Sequence, residues 1–307
     1  MIRNLILSCS LLLAIGARPA SATVQVVATT PEYASLATTI GGDRVAVASL
    51  AKPTEDPHFV DAKPSHVVTL NKADLLIEGG ADLEVGWLPP LLDGARNSRI
   101  EPGSPGHLLA SEGVQLLDVP ATLDRSKGDI HGAGNPHFMM DPTSAGVVAR
   151  HIADGLCAVD AAGCATYKEN LGHFEETLEE KTKAWTAELA PFRGAAIVTY
   201  HPTWRYFANR FGLKADVFLE PKPGIPPSPP HLAEVIAKMN ADHIKVILVE
   251  PYQQRKAAEF VASNTGATVV DVTQFPGGLP GTESGYIALM DANVHAVAKT
   301  LAASASH

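Results

Sequence analysis

Cysteine is scarce, with three in 307 residues. Cys9 lies in the amino-terminal apolar run, which leaves Cys157 and Cys164 for a mature chain. Their spacing is not that of a zinc finger and no second pair exists, so an all-thiolate metal site is excluded. Basic residues are also too few to outweigh the acids. Lys and Arg number 24 against 33 Asp and Glu, a formal charge of −9. That balance argues against nucleic acid and anionic membrane surfaces as partners and suits a cation ligand. The chain contains no H-E-x-x-H, no G-x-S-x-G and no phosphate-cradling glycine loop, so a secreted zinc hydrolase has no signature here. GDIHGAGN, from Gly128, holds glycines but matches none of these. Beyond the amino terminus no segment approaches twenty consecutive apolar residues, the length a membrane-spanning helix needs.

The first 22 residues, MIRNLILSCSLLLAIGARPASA, combine basic Arg3, an apolar run from Leu5 to Ala17 and an A-x-A ending at Ala20 and Ala22. This pattern predicts a secretory signal peptide cleaved before Thr23, and hence an exported, soluble chain. Loss of Arg3 and Arg18 with the leader takes the formal charge from −9 to −11. In an exported protein, Cys157 and Cys164 read as a small disulfide loop, the other reading being two buried reduced thiols.

With 46% hydrophobic residues, the chain has enough apolar material for two cores of ordinary size. An internal echo supports two. VQVVATT followed by PEYASLATTIGG reads as a strand and then a helix, with Pro31 in the first turn and Gly41 at the stop. AAIVTYHPTWRYFANRFGL, from Ala195, repeats the plan and aligns Pro202 with Pro31, Trp204 with Tyr33, Phe207 with Leu36 and Gly212 with Gly41. ADLLIEGG from Ala73 and KVILVEPY from Lys245 form a second matched pair, each a buried-type strand ending in glutamate. The expected architecture is α/β, with two Rossmann-like lobes of related topology at 23–165 and 191–307. Between them Leu171, Phe174, Leu178, Trp185 and Leu189 recur at helical spacing. They predict a long rigid helix over 166–190 whose apolar stripe packs against core. EPKPGIPPSPPH, from Glu220, is expected as an extended surface loop near the interlobe cleft.

Twelve histidines are scattered along the chain, and three differ in context. His58 in EDPHFVD and His137 in NPHFMMDP each sit between a proline and a phenylalanine in acid-flanked loops. His201 follows the strand AAIVTY and precedes Pro202. The carboxyl ends of strands in open α/β sheets face the ligand crevice, so a cation held between lobes by imidazoles is expected. Neutral imidazole suits zinc without needing thiolate. Each proline stiffens its loop, and each phenylalanine is expected to wall the site from water. His131 lies near His137 on the glycine-rich loop. It reads either as a residue that captures metal transiently or as a plain exposed histidine.

These blocks together, with the strand-TTPEYASLA segment and the long helix, resemble the substrate-binding proteins of bacterial zinc and manganese ABC importers, the metal-binding cluster A-I family. The resemblance covers essentially the whole mature chain. It implies a periplasmic protein that binds one divalent metal in the interlobe cleft and delivers it to an ABC permease in the inner membrane. A periplasmic zinc chaperone is a further implied partner, and a monomer the implied state. The resemblance makes His58, His137 and His201 the histidine ligands, and a third histidine in place of glutamate implies Zn(2+) over manganese or iron. The family's fourth ligand is an acid in a loop after the last strands. The best match is Asp271, reached only with a gap of a few residues; Glu283 or water are the alternatives. An adhesin or storage role on the same fold stays open.

Overall fold

The structure, a computed structural model, describes residues 23–122, 128 and 131–305. The leader expected at 1–22 lies outside these residues. Among them no helix is long and apolar enough to cross a membrane.

Two four-stranded parallel sheets organise the chain. In the first, β1 (Val24–Ala28), β2 (Val45–Ser49), β3 (Leu75–Glu78) and β4 (His107–Leu109) lie in the order β2-β1-β3-β4. In the second, β5 (Ala196–Thr199), β6 (Lys214–Phe218), β7 (Val246–Val249) and β8 (Thr268–Asp271) lie in the order β6-β5-β7-β8. The same order in both sheets is the structural form of the sequence echo, and the fold is the expected pair of α/β lobes. Residues 75–77 of β3 and all of β7 are apolar on successive residues because helices cover both faces of a parallel sheet.

The helices follow in register with the echo. After β1, Pro31 opens α1 (Pro31–Gly41), and the residue that stops it is Gly42 at φ +55°, one position beyond the expected Gly41. After β5, Pro202 opens a short 3-10 turn (Pro202–Trp204) that leads into α6 (Arg205–Phe211), stopped by Gly212 in the left-handed conformation. The first lobe adds α2 (Pro64–Lys72) and α3 (Leu88–Ala95). The second adds α7 (Pro229–Ala241) and α8 (Arg255–Thr265).

Three further helices tie the lobes together: α4 (Pro142–Val159), α5 (Cys164–Leu189) and α9 (Tyr286–Ser304). Cys157, near the end of α4, is disulfide-bonded to Cys164 at the start of α5. Helix α5 buries Tyr167, Phe174, Leu178, Trp185 and Leu189. Asp291 of α9 accepts from Trp185 Nε1 at 2.7 Å and pairs with Lys181 at 2.8 Å. One apolar core runs from Val26 and Leu36 in the first lobe, through Phe138, Phe174 and Trp185, to Phe207, Leu248 and Tyr286 in the second. The outer face of each sheet has its own smaller core.

Candidate metal centre

The three histidines singled out in the sequence arrive from three loops and meet between the lobes. His58 is in the loop after β2. Its backbone is held by Trp87, whose Nε1 donates to Pro57 O at 2.9 Å, and by Asp56, which accepts from His58 N at 3.0 Å. His137 precedes a 3-10 turn (Phe138–Met140) and is only 4% exposed. Its N–H donates to Asn135 Oδ1 at 3.0 Å. Asp141 then accepts from Thr143 N at 2.8 Å and caps α4. His201 stands just past β5, where a strand end meets the cleft.

The ligand atoms of His58, His137 and His201 all lie within 4.8 Å of one another. Their ring centroids are 5.2 Å apart for His58 and His137, 5.1 Å for His58 and His201, and 5.2 Å for His137 and His201. Imidazoles on a tetrahedral zinc, with Zn–N near 2.0–2.1 Å, have centroids about 5.2 Å apart. The triad therefore fits that ion.

Each Nδ1 is occupied from behind. Asp56 Oδ1 accepts from His58 Nδ1 at 2.8 Å, Glu220 Oε2 from His201 Nδ1 at 2.8 Å, and Gln274 Oε1 from His137 Nδ1 at 3.1 Å. With Nδ1 carrying the proton, Nε2 carries the lone pair. His58 Nε2 and His137 Nε2 are buried with no hydrogen-bond partner, an arrangement that costs stability unless something binds there.

Burial pushes His137 well below the ordinary histidine range, helped by the neighbouring His201, His58 and His131. Burial also lowers His201, against the opposing pull of its bond to Glu220. Both imidazoles are thus kept in the neutral form that metal needs. Burial opposes ionisation of Asp56, but its bonds to His58 prevail and hold its carboxyl below the usual range.

His131 belongs to the same group of rings, its centroid 5.2 Å from that of His58. It lines a cavity of about 270 Å³ together with His137, His201 and Arg205. A second cavity of about 190 Å³ lies against His58, His201 and Glu220. The two cavities flank His201.

The carboxylates expected as fourth ligand do not join the group. Asp271 ends β8, is ion-paired with Arg255 and is 56% exposed on its side chain. Glu283 is exposed and accepts from Gly281 N at 2.8 Å within its own loop. The residue from that part of the chain that does reach the histidines is Gln274, which carried no signal in the sequence. The matched phenylalanines also part company. Phe138 is fully buried in the interlobe core, 6.4 Å from the Tyr33 ring, whereas Phe59 is 62% exposed at the cleft rim. Neither makes the shared apolar wall that the repeat implied. Asp56 was visible two residues before His58. Glu220 stood unmarked at the head of the proline-rich stretch, which runs from β6 to α7 as expected.

Two like-ordered lobes with imidazoles converging from both are an arrangement suited to a cation. The family described as zinc-uptake complex component A, periplasmic (ZnuA), matches residues 26–300, and the chain belongs to it. It is thus a metal-binding substrate-binding component of an ABC transporter, a class that works with a membrane permease and is not enzymatic. Similar proteins include the manganese ABC transporter substrate-binding lipoprotein PsaA of Streptococcus anginosus, 23% identical over 251 residues, with 80% of this chain and 78% of that one covered. The iron ABC transporter substrate-binding lipoprotein MtsA of Streptococcus pyogenes is 23% identical over 288 residues, covering 91% and 89%. Among solved structures, a crystal structure of ZnuA has a TM-score of 0.76 at 23% identity, covering 91% of this chain and 99% of the other. A manganese-bound periplasmic metal-binding protein of Candidatus Liberibacter asiaticus has a TM-score of 0.75 at 21% identity, with the same coverage.

Proposed function

We propose that this chain captures Zn(2+) in the interlobe cleft, through Nε2 of His58, His137 and His201, and delivers it to an ABC import permease in the inner membrane. The observation that carries the reading is the convergence of three imidazoles whose Nδ1 atoms are all engaged from behind. Nitrogen donors with no carboxylate in the group favour zinc over the harder manganese ion. His131, whose ring centroid is 5.2 Å from that of His58, serves in this reading to capture the ion transiently on the loop side. Asp271 is too engaged with Arg255 to serve as fourth ligand without a rearrangement.

In this reading residues 1–22 direct export to the periplasm, the mature protein acts as a monomer, and a periplasmic chaperone is able to load it. The continuous core beneath α5 favours a small closure by loop movement over a wide hinge. The test is transfer. Zinc-loaded protein added to vesicles containing the cognate permease should drive ATP-dependent zinc uptake, whereas a storage protein or adhesin with the same site would hold its metal and leave uptake at background.

A further inference from the structure

His58 and His201 are backed by carboxylates, but His137 is backed by an amide. A carboxylate accepts with either oxygen. An amide has an accepting and a donating end of nearly equal shape, and the wrong end facing His137 would leave the proton on Nε2. We infer that a directional hydrogen-bond chain running from the Glu250 backbone through Gln253, Tyr252 and Gln274 fixes His137 in the one tautomer able to bind metal. The inference rests on the reading of His137 as a zinc ligand and names the residues that position it.

The direction can be followed from the backbone outward. The backbone N–H of Glu250 can only donate, and it does so to Gln253 Oε1 at 2.9 Å. Gln253 must therefore present Nε2 to Glu250 Oε2, 2.8 Å away. With Glu250 ionised, or with its proton on Oε1, that oxygen only accepts, and Tyr252 O–H donates to it at 3.0 Å. With its proton committed, the Tyr252 oxygen accepts from Gln274 Nε2 at 2.6 Å. Gln274 Oε1 is left facing His137 Nδ1 at 3.1 Å, so Nδ1 must carry the hydrogen and Nε2 the lone pair.

A flipped Gln274 would set two lone-pair oxygens against each other at the Tyr252 contact and turn an N–H toward Nδ1. Glu250 and Gln274 are both buried, so water does not readily substitute for a lost partner. Tyr252, which does not touch the histidines' metal-facing nitrogens, acts as a positioning residue. Without the Tyr252 hydroxyl, Gln274 loses the hydrogen bond that orients its amide.

The experiment combines nitrogen-15 NMR of His137 in the zinc-free full mature chain with zinc affinity measured against a competing chelator. In the parent, His137 should be in the Nδ1–H form. Tyr252→Phe, which keeps the ring, should raise the Nε2–H population and weaken zinc binding about 10–100-fold. Adding Gln274→Glu to Tyr252→Phe should restore affinity, because a carboxylate has no donating end. That rescue is not expected if Tyr252 matters only for packing. The inference is overturned if Tyr252→Phe leaves tautomer and affinity unchanged, if the second substitution gives no rescue, or if parental His137 is Nε2–H without zinc. The parental tautomer decides the matter even where a variant fails to fold. A parent with the Nδ1–H form that retains no zinc would sink the zinc reading and leave the chain of hydrogen bonds standing.

Discussion

Replacing His137 with alanine tests the metal site apart from the fold. A complete structural zinc site is worth about 10–16 kcal/mol, so an even share for one of four donors is roughly 2.5–4 kcal/mol. That share corresponds to roughly 10²–10³-fold in affinity. The metal-free protein should respond far less. Alanine loses the bond to Gln274, but it also removes a buried nitrogen that has no partner and costs about 1–3 kcal/mol. These two effects oppose each other. The assay is thermal unfolding with and without zinc, beside chelator competition. At zinc a thousandfold above Kd, the parent gains about 4 kcal/mol of stability. For a chain of this size that is a rise in Tm of about 8–16 °C. A variant weakened about 300-fold retains roughly 0.9 kcal/mol at the same zinc concentration, a rise of only a few degrees. An undiminished zinc-dependent rise in His137→Ala would refute the reasoning, as would collapse of the metal-free fold.

Two other consequences can be checked without metal. Burial pushes the Glu32 carboxyl up to about 8, above its ordinary value of 4.5, and its Oε2 has no partner among the described residues. A raised folded-state value means that its contribution to stability is present at acid pH and is lost as pH rises from about 4.5 through about 8. Glu32→Gln removes that loss, so urea melts in chelator should show its advantage over the parent growing from pH 5 to pH 8 and then levelling; parallel profiles would contradict the assignment. Cys157→Ser opens a loop seven residues in separation and should destabilise the chain by about 2–3 kcal/mol on the loop-entropy estimate. Equal melting of that variant and the parent would show that the disulfide adds nothing to the fold.

Sequence patterning carried the architecture because both of its signals are local. A parallel strand covered on both faces is a short apolar run, and β3 and β7 are such runs. Helix α5 announced itself through an apolar stripe that now packs on α9. The histidines stood out for the same reason, since proline and strand-end context lie within one or two residues. What surrounds them did not. Gln274 meets His137 across 137 positions of sequence, and nothing around a lone glutamine marks it as the acceptor behind a ligand. The fourth-ligand expectation failed to find its place for a related reason. Asp271 ends a strand as required, but the position of Arg255, one helix earlier, decides where its charge goes. The twin Pro-His-Phe triplets mislead only in their last residue. His137 begins a 3-10 turn that drives Phe138 into the interlobe core, whereas the loop carrying His58 leaves Phe59 outside.

The most direct test of the central claim is native mass spectrometry of the untagged chain from Thr23, stripped of metal and then offered zinc and manganese together at equal concentration. One zinc retained per chain, with manganese displaced, is the expected result. Retained manganese, or no metal at all, would contradict it.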